Sequence, residues 1–104
     1  MDSEIFSPIG MKNSTYSQPL PYILQDNAAW AHHGGGNTIE GKWNSYPEKA
    51  AAGLWTTPTD LAKFAMAIQR AINGSKNEIL SPEMAEAMIS PHLGMWGLGF
   101  SLLD

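Results

Sequence analysis

The sequence contains no cysteine. That excludes a disulfide framework, a thiolate nucleophile and a cysteine-based zinc site. It is also poor in charge: Asp, Glu, Lys and Arg make up 15% of the residues, against about a quarter in an ordinary soluble domain. Few faces can then be charged and solvated, and some apolar surface is expected to meet a partner or further chain. The net charge of −4 comes without a basic cluster. Nucleic-acid binding needs clustered Lys and Arg to neutralise phosphates, so the chain is not read as a nucleic-acid binder. No apolar run approaches the ~20 residues of a membrane span. The opening MDSEIF is no signal peptide, so the compartment is not read directly.

What is present is one domain at most, because 104 residues can build only a modest hydrophobic core. Six Met and four Trp read as core fillers. Residues 2–6 resemble the last turn of a helix. SPIGMKNSTYSQPLP (7–21), with three prolines and many hydroxyls, reads as an ordered loop. YILQ (22–25) suggests a short strand. NAAWAHHGGGNTIEGKWN (27–44) predicts a β-hairpin whose turn, Gly34 to Asn37, supplies positive-φ positions.

The clearest element follows. Thr57 is a natural N-cap, Pro58 suits the first helical position, and Asp60 completes a variant capping box at the positive end of the dipole. Leu61, Phe64, Ala65, Ile68 and Ile72 form an apolar stripe, with Lys63, Gln69 and Arg70 largely away from it. Gly74 is the expected C′ residue, so the helix is predicted from about Pro58 to Asn73. Ser81 and Pro82 repeat the same signals, predicting a short helix with Met84, Ala85 and Met88 inward and a stop by Pro91. The Gly-rich, then apolar, end predicts a strand from Trp96 to Leu103.

Nucleophile motifs are missing. There is no G-x-S-x-G, no S-x-x-K and no Y-x-N. His32, His33 and Glu40 are candidate metal ligands, yet neighbours on a strand point to opposite faces, so both histidines rarely reach one ion. Turn histidines, exposed or hydrogen-bonded, are the simpler account. His92 sits near a helix end, where a cation is mildly favoured. The GGGN run lacks the Lys-Ser/Thr and the spacing of a phosphate loop, and Asn13-Ser14-Thr15 is a formal glycosylation sequon. YPEKAAAGLW (46–55) is more specific. Ala50, Ala51, Ala52 and Gly53 permit close approach to the backbone, and Tyr46 and Trp55 flank them with large rings. Either the strip packs tightly inside the fold, or Tyr46, Ala51, Ala52, Gly53 and Trp55 form one wall of a substrate cleft.

Three stretches carry a resemblance. IFSPIGMKNSTYSQPLP resembles an I-F-x-P-L-G-M-x-x-S/T segment. AAAGLWTTPTDLAKFA resembles an A-G-G-L-x-S-T-x-x-D-L/M-A-K/R-F/W helix entry, and GLGFSLL resembles a G-L-G-F/W-x-L/V strand. In this order they resemble the serine beta-lactamase-like hydrolases: class C beta-lactamases, low-molecular-weight penicillin-binding proteins and related esterases. The resemblance covers nearly the whole chain, most weakly residues 22–45. It implies an α+β fragment of the beta-lactamase/transpeptidase-like fold: a loop-rich start, a β-hairpin, two capped helices and a C-terminal strand.

In that family the catalytic Ser and Lys of S-x-x-K and the Tyr of Y-x-N precede the P-L-G-M segment, and K-S/T-G or H-x-G follows the G-L-G-F strand. His32-His33-Gly34 and His92-Leu93-Gly94 match H-x-G, but both precede the strand and are out of order. The resemblance therefore implies a single partial domain over 1–104, lying between Y-x-N and K-S/T-G or H-x-G. It has no catalytic residue of its own, no cofactor and no metal. The parent would open an amide or ester bond (a beta-lactam, a D-Ala-D-Ala peptide or a small ester) through an acyl-enzyme. Its partners would be a small-molecule or peptidoglycan-like substrate and the remainder of the hydrolase domain, and exposed apolar surface would favour self-association. An extracytoplasmic bacterial setting is implied by the family. Class C enzymes often place an active-site Tyr just before the glycine that matches Gly53; Ala52 stands there, which favours an esterase- or peptidase-like relative. The alternatives are a non-catalytic binding module of the same ancestry and a small His-based metal-binding domain.

Overall fold

The computed structural model describes residues 1–75 and 79–102. They divide into two compact units, one built from residues 1–13 with those from 57 onward, the other from residues 14–56.

The first unit is organised by helix α4, Pro58–Ile72. The Thr57 side chain accepts the Asp60 N–H, Pro58 occupies the first turn, and Asn73 closes the helix just before Gly74 at φ 73°. Helix α5, Pro82–Met88, begins in the same way, with Ser81 accepting the Met84 N–H. The two helices pack on each other. Their shared core is Ile68, Ala71 and Ala85, closed over by Phe64, Ile72, Leu80, Met88 and Phe100. Alanines at 67, 71 and 85 are fully buried, so the helices approach closely and each added methylene would have to be accommodated. A π-helical turn, Asp2–Phe6, runs into α1, Ser7–Ile9. It packs against α1, which in turn meets α4, and Phe6 and Met11 are buried.

The buried side of α4 differs from the predicted stripe. Asp60, Ala67, Ile68 and Ala71 are buried, and Phe64 and Ile72 are half-buried. Leu61 is 52% exposed and Ala65 is also exposed. The helix has apolar residues on more than one side, so periodicity alone admits two registers, and the small alanines allow the closer contact. On α5, Met84 lies outward at 51% exposure while Ala85 and Met88 lie inward. Nor do the methionines act mainly as core fillers: Met11 is buried, but Met1, Met66, Met84 and Met95 are each more than half exposed.

The expected strands are not formed among the described residues, which hold helices and isolated bridges only. Of the predicted strand from Trp96 to Leu103, Leu103 lies outside the described residues. The rest folds back on itself through Leu93–Trp96 and Trp96–Ser101 bridges. Gly99 at φ 90° is incompatible with an extended run. Leu98 N–H donates instead to the Met88 carbonyl at the end of α5 (3.0 Å). YILQ forms a helical turn, α2 (Tyr22–Gln25), where Pro21 at φ −53° leads in and Gln25 Nε2 donates back to the Leu20 carbonyl.

In the second unit the predicted hairpin reduces to one bridge, His32–Thr38, around a turn in which Gly36 is the one residue of the Gly34–Asn37 set at positive φ. The second leg turns again at Gly41 and Lys42, both left-handed at φ 82° and 75°, and this ends the ladder. AAAG is helical as well: α3 spans Lys49–Ala52, and Gly53 caps it.

Candidate functional site: an aromatic cleft

The second unit begins and ends on one bridge. Thr15 and Trp55 exchange backbone hydrogen bonds, each 2.9 Å, and the hydroxyls of Ser14 and Thr56 meet at 2.7 Å. Trp55 is thereby fixed by its backbone, and its ring meets the edge of Trp43 with centroids 5.2 Å apart and planes at 74°. Edge-to-face pairs of this kind exploit the ring quadrupole. Trp43 is placed by the turn structure before it, in which Ala31 N–H donates to the Lys42 carbonyl (2.7 Å) and Ile39 N–H to the Ala31 carbonyl (3.0 Å). The same bonds bring Trp30 alongside.

A cleft of about 240 Å³ lies among these rings. Of the five expected wall residues, Tyr46, Ala52, Gly53 and Trp55 line it and Ala51 does not. Trp30 and Trp43 complete the aromatic lining, Gln18 and Asn44 bring amides, and no Asp, Glu, Lys, Arg or His is among the lining residues. Sequence reasoning missed Trp30 and Trp43; the signal available was that three of the four tryptophans flank the glycine turn and the alanine strip. Trp55 serves the cleft and Trp43 here.

Gly53 has a precise steric reason. A Cβ there would meet the Gln18 Nε2 and would lie 2.7 Å from both Cα and O of Lys49. The group that approaches the small-residue strip is therefore the Gln18 amide. Its Oε1 accepts the Tyr46 N–H at 2.7 Å and so orients the tyrosine segment of the wall. Ala50, Ala51 and Ala52 remain exposed.

The first unit holds a different polar constellation. Asp60 is fully buried. Its Oδ2 accepts the Asn13 N–H at 2.7 Å, and its Oδ1 pairs with Lys63 Nζ at 2.8 Å. Lys63 Nζ also donates to the Gly10 carbonyl at 2.6 Å. Lys63, expected to face away from the packed side, is half-buried because this carboxylate and carbonyl draw it in. A carboxylate placed this way acts as a structural clamp, its charge compensated by the lysine beside it. The sequence offered Asp60 as a capping residue and Lys63 three residues later on the same face, but not the loop they hold.

His32 pairs with Thr38 through backbone, and His92 Nε2 lies 2.8 Å from the Ala87 carbonyl at the end of α5. Among the described residues no three His, Asp or Glu side chains gather to hold a metal ion. No helix among them is long and apolar enough to cross a membrane.

Comparison with known proteins places these features in one frame. No curated protein matches the chain. A family model described as Beta-lactamase matches residues 1–102, which takes in the clamped PIGM loop, the α4 entry and the GLGF turn together. A match of that extent, across both units and all three motifs, shows that the chain belongs to the Beta-lactamase family of serine hydrolases.

Proposed function

We propose that the chain supplies a non-catalytic wall of a serine hydrolase site that opens an amide or ester bond through an acyl-enzyme. The substrate would be a beta-lactam, a D-Ala-D-Ala peptide or a small ester. The observation that carries this reading is the aromatic cleft bounded by Tyr46, Ala52, Gly53 and Trp55, in a family member whose 104 residues contain neither S-x-x-K nor Y-x-N. Nucleophile and proton-transfer groups would then come from chain outside residues 1–104, of which this segment is an internal part. The Ser oxygen would add to the carbonyl, the amine or alcohol would leave, and water would release the acid. Ala52, where a Tyr is common in class C enzymes, leaves the cleft open on that side and supports an esterase- or peptidase-like preference.

The test is intact-mass analysis of the chain after incubation with a fluorescent penicillin and with p-nitrophenyl acetate. The expected result is no covalent adduct and no nitrophenolate release above buffer. An acylated serine would overturn the assignment of chemistry to other residues. Binding of the intact penicillin or ester, in a natural protein that lacks the motifs throughout, would favour the binding-module reading.

The remainder of the hydrolase domain is the proposed cover for the exposed apolar side of α4. Met66 is 54% exposed there, and Ile89 and Phe100 border a groove beside it. Self-association of the chain alone follows from the same surface. Sedimentation velocity should show a concentration-dependent shift; a clean monomer at high concentration counts against it.

A further inference from the structure

Asparagine is followed by glycine once in the sequence, at Asn73-Gly74. With no Cβ on the glycine, its nitrogen can approach the asparagine side chain more freely than that of any other residue type. Both residues are exposed, so water reaches them. Yet the pair is the stop of α4, and both ends of that stop are tied. The Gly74 N–H donates to the Ala71 carbonyl at 2.9 Å and the Ser75 N–H to the Arg70 carbonyl at 3.0 Å. With Gly74 at φ 73°, these two bonds make a Schellman closure. Asn73 is held at φ −77° and ψ 7°.

We infer that Asn73 is a site of spontaneous deamidation that this closure holds shut, so that its conversion records opening of the end of α4. In the reaction the Gly74 nitrogen gives up its proton and bonds to Cγ of Asn73. The Cγ–Nδ2 bond breaks, and ammonia leaves with that proton. Water then opens the resulting succinimide. Attack at Cγ gives an aspartate, and attack at the main-chain carbonyl gives an isoaspartate whose backbone runs through Cβ. In the closed helix end the nucleophilic nitrogen is turned to Ala71, and its hydrogen bond opposes loss of the proton. The step therefore requires Asn73 to leave its helical ψ. It is also one-way. Either product places a carboxylate at the negative end of the helix dipole, and the isoaspartate lengthens the main chain inside the ring that the Ser75–Arg70 bond closes. The turn affected carries Ala71 and Ile72 into the contact with α5.

The experiment incubates the full chain at mildly alkaline pH, folded and in guanidinium chloride, and follows each asparagine by peptide mapping with isoaspartate detection. In denaturant Asn73 should convert first. In the folded chain its conversion should be about tenfold slower, the effect expected of two hydrogen bonds that must open together. Ser75→Pro removes one donor and leaves the Asn73-Gly74 pair intact. It should speed conversion in the folded chain and leave the rate in denaturant unchanged, with circular dichroism to check folding. Hydrogen exchange gives a second reading that needs no variant: the Gly74 and Ser75 amides should be protected although exposed. Another asparagine converting before Asn73 in denaturant overturns the site. Equal rates folded and unfolded overturn the protective closure. So do an unchanged rate in folded Ser75→Pro and unprotected amides at Gly74 and Ser75.

Discussion

The buried carboxylate of Asp60 accepts the backbone N–H of Asn13 at 2.7 Å, across 47 positions of the sequence. With Lys63 on the Gly10 carbonyl, it ties the PIGM loop to the first turn of α4. Two stretches that look like independent motifs in the sequence are one clamp in three dimensions.

Asp60→Ala should therefore cost more than the loss of a helix cap. It removes a buried acceptor from Asn13 and the partner of Lys63, and a loss of about 2–3 kcal/mol is expected. Urea unfolding measures it. Lys63→Met should cost less, about 1 kcal/mol or below, because the lysine is partly exposed and its pair is screened by solvent. Equal costs for the two would mean that the carboxylate is not the centre of the clamp.

At Gly53 the expected change is steric. Gly53→Ala places a methyl against the Gln18 amide and the Lys49 backbone, with a penalty of about 1–3 kcal/mol. Adding Gln18→Ala should recover only part of it, since the Lys49 backbone cannot be trimmed. Full recovery in the double variant would assign the whole clash to Gln18.

Helix starts give a smaller and pH-dependent signal. Thr57→Ala and Ser81→Ala should each lose about 1 kcal/mol. The Glu83 carboxyl is held below the usual carboxylate range by its own backbone N–H first and by the Ser81 hydroxyl second. A folded-state value below the unfolded one means that the carboxylate contributes stability above the unfolded value, near pH 4.5, and that the contribution is lost as pH falls through the folded value. Glu83→Gln should thus differ from the parent at neutral pH and converge with it in acid. Thermal unfolding against pH reads the convergence; a gap that widens in acid would contradict the sign.

In a hydrolase that carries residues 1–104 together with S-x-x-K and Y-x-N, Ala52→Phe should alter the order of preference among several esters and lactams. The change narrows the cleft without touching a nucleophile. An unchanged profile would remove the substrate-wall reading.

The helices were legible from their punctuation: Thr57 with Pro58, Ser81 with Pro82, and Gly74 at the stop are local signals that tertiary structure did not need to override. The side of α4 that packs was less legible, because Leu61 and Ala65 compete with Phe64, Ala67 and Ala71 for the inward register, and only the close fit against Ala85 decides. Strand expectations failed for a different reason. A strand exists through its neighbour, and neither the second leg after Ile39 nor the stretch after Trp96 has a continuous partner among the described residues. At the cleft, the alanine strip drew notice to Tyr46, Ala52, Gly53 and Trp55, but the aromatic floor from Trp30 and Trp43 depends on turns at Gly36 and Lys42 that no periodicity announces. A left-handed lysine, in particular, has no sequence signature.

The reciprocal bridge between Thr15 and Trp55 also bears on how this chain can change. An excursion that leaves and returns at one hydrogen-bonded point can be lengthened, shortened or exchanged between those two residues while its ends stay fixed, and the entropy of closing the longer loop rises only slowly with its length. Residues 16–54 are thus a loop whose two ends are held by one pair of backbone hydrogen bonds. Diversity in what the cleft accepts can accumulate there without requiring any compensating change at the bridge that closes it. Trp55 is the exception, since it belongs both to the bridge and to the lining of the cleft, so a change there would be felt in both.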